Sequence, residues 1–264
     1  MKLPIYQVDA FTNQPFKGNP AAVCLLENDI PSEIKLAIAA ENNLSETAFL
    51  LKTGEGAYNL QWFTPSVEID LCGHATLASA HILWELGLEK SETIVHFKTL
   101  SGILKASKSE NWISLDFPAI PITEDSIPED LQNIFPNSSI FKAQSAKYIV
   151  ELSSAKEVIQ YQPDFHLLEK YATIITAKGD SESPYDFVSR FFAVPVGVNE
   201  DPVTGSAHCC LVPFWANKLG KTTLFAYQAS ARGGELKLKL ENGSVFLSGE
   251  AITLIKGEFL LPTL

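Results

Sequence analysis

Two stretches of the chain, residues 75–86 and 207–219, carry apolar residues on most of their helical faces. A helix that is apolar nearly all round is buried nearly all round. A glycine follows each stretch, Gly87 and Gly220, and glycine commonly ends a helix because it accepts the left-handed conformation. The pattern therefore predicts two central, buried helices.

Alternating apolar and polar residues follow each predicted helix, as in half-buried strands. The predicted strands cover 94–98 and 103–106 after the first helix, and 224–228 and 235–240 after the second. The small-residue turns that precede the two helices also match, since Gly73 lies 14 positions before Gly87 and Gly205 lies 15 before Gly220. Several matches in the same order predict an internal duplication.

A weaker correspondence precedes each of these segments. The pattern predicts a helix over 31–42 and a strand over 47–51 in the first half, and a helix over 163–171 and a strand over 173–176 in the second. Between the halves, prolines and acidic residues cluster at 117–136, which is typical of a connection between domains.

The predicted fold is therefore of the α+β class, with two pseudo-symmetric domains. We expect the N-terminal domain to cover residues 1–117 and the C-terminal domain residues 118–264, with the last strand able to return to the first domain. Each domain is expected to be a barrel-like, mostly antiparallel sheet around its central helix.

Each predicted central helix begins at a turn of small residues, Cys72-Gly73-His74 in one and Thr204-Gly205-Ser206 in the other. Free N–H groups and the helix dipole at such a terminus attract an anion. The alternative is that these turns are ordinary helix caps. Because the feature is duplicated, we favour a binding role, in which both turns face one shared cleft and take a small carboxylate-bearing substrate.

Three side chains near these turns are candidates for proton transfer. Glu46 lies where a predicted helix gives way to an apolar strand, and Asp201 comes shortly before the second central helix. A carboxylate at the end of an apolar element suits proton abstraction from carbon, and His74 suits a proton shuttle. The alternatives are a surface glutamate, a turn aspartate and a structural histidine.

Composition limits the partners. Lys+Arg 20 against Asp+Glu 31 gives a formal net charge of −11 and a pI near 4.9, so nucleic acid would be repelled by the average field. No apolar run approaches the roughly 20 residues of a membrane span, and the N-terminus lacks the pattern of a secretory signal. We expect a cytoplasmic protein that binds neither nucleic acid nor membrane.

The reactive side chains show no metal or nucleotide motif. The four cysteines, Cys24, Cys72, Cys209 and Cys210, form no C-x-x-C pair. H-E-x-x-H, the Walker A motif, G-x-G-x-x-G and G-x-S-x-G are all absent from the sequence. Their absence removes the common metalloproteases, nucleotidases, Rossmann dehydrogenases and α/β-hydrolases from consideration.

Four segments carry a resemblance to a known family. They are 8–23 with Gly18-Asn19-Pro20, 44–49 with Ser45-Glu46-Thr47, 71–76 with Cys72-Gly73-His74, and 200–207 with Asp201-Pro202-Val203-Thr204-Gly205-Ser206. At these residues the sequence resembles the phenazine-biosynthesis PhzF-like isomerases. The segments span most of the chain in the order of that family.

The resemblance implies a diaminopimelate-epimerase-like fold and a cofactor-free isomerase or epimerase that is commonly a homodimer. It implies that Glu46 is the acid/base residue, with His74 and Asp201 as its partners. It also implies that Gly73 and Ser206 contact the substrate, with Asn19, Cys72, Thr204 and Gly205 around them.

The chain departs from the related two-thiol racemases, which use one cysteine from each half. Cys72 stands in the first turn, whereas the second turn contains no thiol. Two alternatives to an isomerase with Glu46 as its base stay open. One is a binding protein that kept the fold and lost the chemistry, and the other is a cysteine-dependent amino-acid racemase.

Overall fold

A computed structural model describes residues 2–261 of the chain. The elements follow in the order β1 Lys2–Ala10, β2 Asn19–Leu26, α1 Ser32–Asn42, β3 Glu46–Gly54, β4 Ala57–Phe63, β5 Glu68–Ile69, α2 Gly73–Glu85, β6 Val95–Thr99, β7 Gly102–Ser109, β8 Trp112–Pro118, β9 Ile122–Thr123, α3 Glu129–Ile134, β10 Ser139–Ala143, β11 Lys147–Glu151, α4 Ala155–Gln160, β12 Ala172–Lys178, β13 Phe187–Ala193, a 3₁₀ turn Val194–Val196, β14 Val198–Asp201, α5 Gly205–Leu219, β15 Thr223–Gln228, β16 Gly234–Glu241, β17 Ser244–Gly249 and β18 Ala251–Leu260. This mixture of strands and helices confirms the predicted α+β class.

The chain forms two compact units. The first comprises the described residues of Met1–Asp116 and Ser248–Leu264, and the second comprises Phe117–Leu247. In the first unit the last strand, β18, pairs antiparallel with β1, which in turn pairs antiparallel with β2. The first unit therefore combines the beginning of the chain with its last strand.

The same order of strand pairing occurs in both units. In the first, β2 runs parallel to β3, β3 antiparallel to β4, β4 parallel to β6, and β6 antiparallel to β7. In the second, β11 runs parallel to β12, β12 antiparallel to β13, β13 parallel to β15, and β15 antiparallel to β16. A long helix, α2 or α5, enters at the same point of each series. This agreement confirms the predicted duplication.

Both long helices are buried in the core of their own unit. From His74 to Leu83 every residue of α2 is buried except the half-buried His81, and α2 packs against β1, β2, β3 and β18. In α5 the run from Ala207 to Val212 is buried, and the helix packs against β15 and β16. None of the helices within residues 2–261 combines the length and the apolarity needed to cross a membrane.

Pro213 lies inside α5 and has no N–H to give to the carbonyl four residues earlier. The Ile120 N–H instead donates to the Cys209 carbonyl over 3.0 Å. Further along the same segment, Leu131 and Phe135 pack in the core of the second unit. The stretch 117–136, predicted to be a connection, therefore builds part of that unit.

The helix predicted over 163–171 is wrong. These residues form successive turns, in which the N–H groups of Leu167, Leu168 and Tyr171 each donate to the carbonyl three residues earlier. The Asp164 carboxylate accepts from the His166 N–H over 3.0 Å, a local bond that competes with helical hydrogen bonding. The helix of this region is α4, which begins earlier, where the Ser154 side chain caps it by accepting from the Glu157 N–H.

Candidate active site

Glu46 is the first residue of β3, and its position follows from the turn before it. Helix α1 ends at Asn42, and the next residue, Asn43, has a left-handed φ of 50° and an N–H that donates to the Ala39 carbonyl. The Asn42 side-chain amide then donates to the Thr47 hydroxyl over 3.1 Å. This bond ties the end of α1 to the start of β3, on either side of Glu46.

Glu46 and His74 form the centre of the site in the first unit. Glu46 Oε2 lies 3.0 Å from His74 Nε2, and their side chains are 16% and 7% exposed. This is an ion-pair distance without the alignment of a good hydrogen bond, and neither atom has another hydrogen-bond partner among residues 2–261. The pair is largely shielded from water, which strengthens the attraction between its charges.

The other ring nitrogen of His74 faces Asn19 and Cys72. Asn19, the first residue of β2, is fully buried, and its Nδ2 lies 3.2 Å from His74 Nδ1. Cys72 Sγ lies 3.5 Å from the same nitrogen. With Nδ1 accepting from the amide, the neutral ring carries its proton on Nε2, toward Glu46. If the ring is doubly protonated, the Asn19 amide can turn over and accept through its oxygen.

Burial by itself lowers the pKa of His74, but the neighbouring Cys72 and Glu46 outweigh burial and raise the pKa well above 6.5. Burial and the charge of Glu46 raise the pKa of Cys72 against the opposing effect of His74. Of the two acidic groups beside His74, Cys72 is therefore the one whose charged form is disfavoured. The carboxylate of Glu46 is the negative group that stabilises the imidazolium of His74.

Protein stability should consequently fall as pH rises above about 6.5, the unfolded-state value for histidine. His74 has a raised pKa when folded, so its contribution is complete below that pH and is lost as pH passes through the folded-state pKa. His208 affects stability only at lower pH. Burial lowers its pKa to about 4, although its hydrogen bond to the Thr204 carbonyl opposes this shift. Urea unfolding between pH 6.5 and 8.5 should show a smaller pH dependence in His74→Asn than in the wild type. Equal slopes in the two proteins would contradict the assigned shift.

Glu46, Cys72 and His74 form a group of three potential metal ligands within the part of the chain that the structure describes, with donor atoms within 4.8 Å of one another. The thiol, however, lies beside Nδ1 of the ring and the carboxylate beside Nε2. An ion bound to Nδ1 would therefore be distant from the carboxylate, and an ion bound to Nε2 would be distant from the thiol. The observed arrangement suits proton transfer between carboxylate and imidazole better than coordination by all three groups.

The sequence-predicted residues of the second unit lie together at the start of α5. Asp201 ends β14, and Thr204 is the residue before the helix. The Thr204 hydroxyl donates to Asp201 Oδ2 over 2.5 Å and makes no capping bond to the helix. The interpretation of Thr204 as an ordinary side-chain cap is therefore wrong, and Gly205 and Ser206 begin the helix without that cap.

Sequence reasoning missed two groups that support this turn. Arg190 donates to both carboxylate oxygens of Glu200, over 2.7 and 2.9 Å, and so fastens β14 to β13 immediately beside Asp201. Gln228, at the end of β15, is fully buried and bonds to the turn itself. A signal was present for Gln228, since Leu224 and Ala226 are the inward-facing residues of β15 and Gln228 is polar at the next inward position.

Comparison with known proteins identifies the family of the chain. The family model for phenazine biosynthesis-like protein, PhzC-PhzF, matches residues 8–257. A protein of Halalkalibacterium halodurans named as an uncharacterized isomerase is 52% identical over 99% of this chain and 100% of its own length. Another uncharacterized isomerase, from Pseudomonas aeruginosa, is 44% identical over 99% of this chain and 100% of its own. The crystal structure of a PhzF-family phenazine biosynthesis protein from Enterococcus faecalis matches with a TM-score of 0.91, at 43% identity over 99% of this chain and 100% of that one.

The family model covers nearly the whole chain, and each of these relatives is aligned over its full length. The resemblance drawn from four sequence segments is thereby confirmed. The chain belongs to the phenazine biosynthesis-like protein family, and it is an isomerase.

Proposed function

We propose that this isomerase moves a proton at a carbon atom beside a carbonyl or carboxylate group of a small anionic substrate. Glu46 is the general acid/base, and the reaction uses neither an organic cofactor nor a metal. The observation that carries the proposal is the 3.0 Å contact of Glu46 Oε2 with His74 Nε2 at the buried start of α2. A carboxylate in contact with a histidine that can share its proton suits general acid–base catalysis.

In the proposed reaction Glu46 takes the proton from the substrate carbon. The electron pair of the C–H bond moves toward the adjacent carbonyl, so that negative charge develops on its oxygen. N–H groups of the first turn of α2, around Gly73, stabilise that charge. Return of the proton from Glu46 or His74 to another face or another carbon gives the isomer.

Asn19 and Cys72 are proposed to orient His74, since both contact its Nδ1. Asp201 is proposed as a further group in proton transfer, and Thr204, Gly205 and Ser206 are proposed to bind the substrate. Their support is the family resemblance and the bond between Thr204 and Asp201. A homodimer located in the cytoplasm is part of the proposal, and nucleic acid and membranes are not among its partners.

Incubation of the purified protein with a panel of small carboxylic acids in deuterium oxide tests the reaction. Mass spectrometry should detect uptake of one deuterium at a carbon beside a carbonyl or carboxylate, together with formation of an isomer. A panel in which acids bind but none takes up deuterium would favour the alternative of a binding protein without this chemistry.

A cysteine-dependent racemase is the second candidate, favoured by the 3.5 Å approach of Cys72 Sγ to His74 Nδ1. A thiol acts as base or nucleophile through its thiolate. The raised pKa of Cys72, which follows from burial and from the charge of Glu46, opposes thiolate formation. The structure therefore supports Glu46 over Cys72 as the base.

Cys72→Ser should change the rate of deuterium uptake by less than about tenfold, because a hydroxyl preserves a polar contact to His74 while the proposed base is retained. The measurement is the uptake rate with the same acid for both proteins. Cys24→Ser, which alters another buried free thiol of the first unit, controls for loss of packing. Uptake abolished in Cys72→Ser but not in Cys24→Ser would assign the chemistry to the thiol.

A further inference from the structure

The turn between β14 and α5 is held by a side chain from β15. Gln228 is fully buried, and its Oε1 accepts from the Thr204 N–H over 2.8 Å. Its Nε2 donates to the Asp201 carbonyl over 2.8 Å and to the Thr204 hydroxyl oxygen over 3.2 Å. One amide group therefore bonds to both ends of the turn.

These contacts determine which way round the amide lies. If oxygen and nitrogen were exchanged, Nε2 would face the Thr204 N–H, donor against donor, and Oε1 would face the Asp201 carbonyl, acceptor against acceptor. Both contacts would then be repulsive, and the full burial of Gln228 makes that repulsion costly. The orientation of Gln228 follows from the backbone groups of the turn.

The orientation of the amide sets the direction of the next hydrogen bond. A hydroxyl has one proton to donate, and the Thr204 oxygen already accepts from Gln228 Nε2. Its own proton is thus directed to Asp201 Oδ2, 2.5 Å away. The result is a chain of donors that runs from Gln228 through Thr204 and ends at the carboxylate of Asp201.

A second side chain from the same region bonds to a different group of the turn. The Ser230 hydroxyl donates to the Pro202 carbonyl over 2.8 Å and accepts from the Gly233 N–H over 3.0 Å. Ser230 therefore supports the backbone of the turn without joining the chain of donors to Asp201. Both residues thus support the turn, and only Gln228 also orients the carboxylate.

We propose that Gln228 is a positioning residue for Asp201, which it orients through the hydroxyl of Thr204. Its effect on turnover rests on the proposed function, in which Asp201 takes part in proton transfer. Its effect on the orientation of Asp201 does not depend on that function. The two can therefore be tested apart.

Gln228→Glu is the sharpest variant, because it keeps the shape and the acceptor for the Thr204 N–H but replaces the donor by an oxygen that repels the Asp201 carbonyl. The Thr204 hydroxyl is then free to donate to the introduced carboxylate in place of Asp201. The crystal structure of the variant should show the carboxylate of Asp201 turned away from Thr204. The kcat for deuterium uptake should fall roughly 10- to 100-fold, by more than KM rises, as for a misplaced catalytic group.

Ser230→Ala is the matched control, expected to leave kcat within about threefold of the wild type. If Gln228→Glu does not fold, Gln228→Met removes the amide without adding a charge. The Asp201 carbonyl and the Thr204 hydroxyl then both lose their donor, so the turn is released and the Asp201 carboxylate should move with it. An Asp201 side chain that keeps its position in the folded variant overturns the proposal, as does a kcat no lower than in Ser230→Ala. If the wild type itself takes up no deuterium, the proposed function fails and the crystal structures alone decide the role of Gln228.

Discussion

Glu46→Gln is expected to slow deuterium uptake into the substrate by roughly 10²–10⁴-fold, the usual contribution of a general acid/base group. The substitution keeps the shape of the side chain and its place at the start of β3 but removes the group that takes the proton. Because the backbone N–H groups of α2 are untouched, the dissociation constant for the acid should change much less than the rate. Uptake rates by mass spectrometry and affinities by calorimetry measure the two effects.

Glu85→Gln is the matched control for this prediction. Glu85 also contacts a histidine of α2, with its Oε2 2.8 Å from His81 Nε2, but it is not part of the group around His74. The Glu85→Gln variant should catalyse deuterium uptake at close to the wild-type rate. An unchanged rate in Glu46→Gln would refute the assignment of the base, and an equal loss in both variants would point to a general effect of the lost charge.

Gly18→Ala is expected to lower the free energy of unfolding by about 4 kcal/mol or more, the range reserved for severe structural conflicts. Gly18 has a φ of +63°, and an added Cβ would overlap the carbonyl oxygen of Ala10 and lie 2.8 Å from the Thr12 side chain. Backbone carbonyls at the end of β1 cannot move without disturbing the pairing of β1 with β2. Because Asn19 follows directly and contacts His74, deuterium uptake should fall as well.

Gly220→Ala separates the cost of the left-handed backbone conformation from the cost of the steric overlap. Gly220 has nearly the same φ, +67°, but an added Cβ there would have nothing within 4 Å. Only the cost of the left-handed conformation remains, about 1–2 kcal/mol. Urea unfolding of both variants measures the difference. Similar losses in the two variants would show that the overlap with Ala10 is relieved at little cost.

Local patterning was sufficient to predict the long elements and the duplication. The runs that became α2 and α5 are apolar on most faces, and a property that depends only on burial and helical period can be read from consecutive residues. The same holds for the alternating strands that became β6, β7, β15 and β16. At 163–171 this approach failed, because the bond between Asp164 and the His166 N–H favours turns over a helix.

The sequence also identified Glu46 and His74 as candidates, through the types of residue at element ends and through the family resemblance. It could not show that they touch. Asn19, Glu46 and His74 come from β2, β3 and α2, and they meet because β2 and β3 pair in parallel, with Ala21 opposite Glu46, while α2 packs against both strands. Their 3.0 and 3.2 Å contacts are products of that packing.

The family, the two buried helices and the residue types available for proton transfer could all be predicted from the order of residues, because each depends on composition and pattern along the chain. Which nitrogen of His74 faces Glu46, why the pKa of His74 is raised, and how Gln228 bonds to the turn at Asp201 became visible in the folded chain. Apart from Cys72, which lies two residues from His74, those features depend on distances between residues 24 to 28 positions apart in the chain. Such distances are set by strand register and helix packing, which local pattern does not specify.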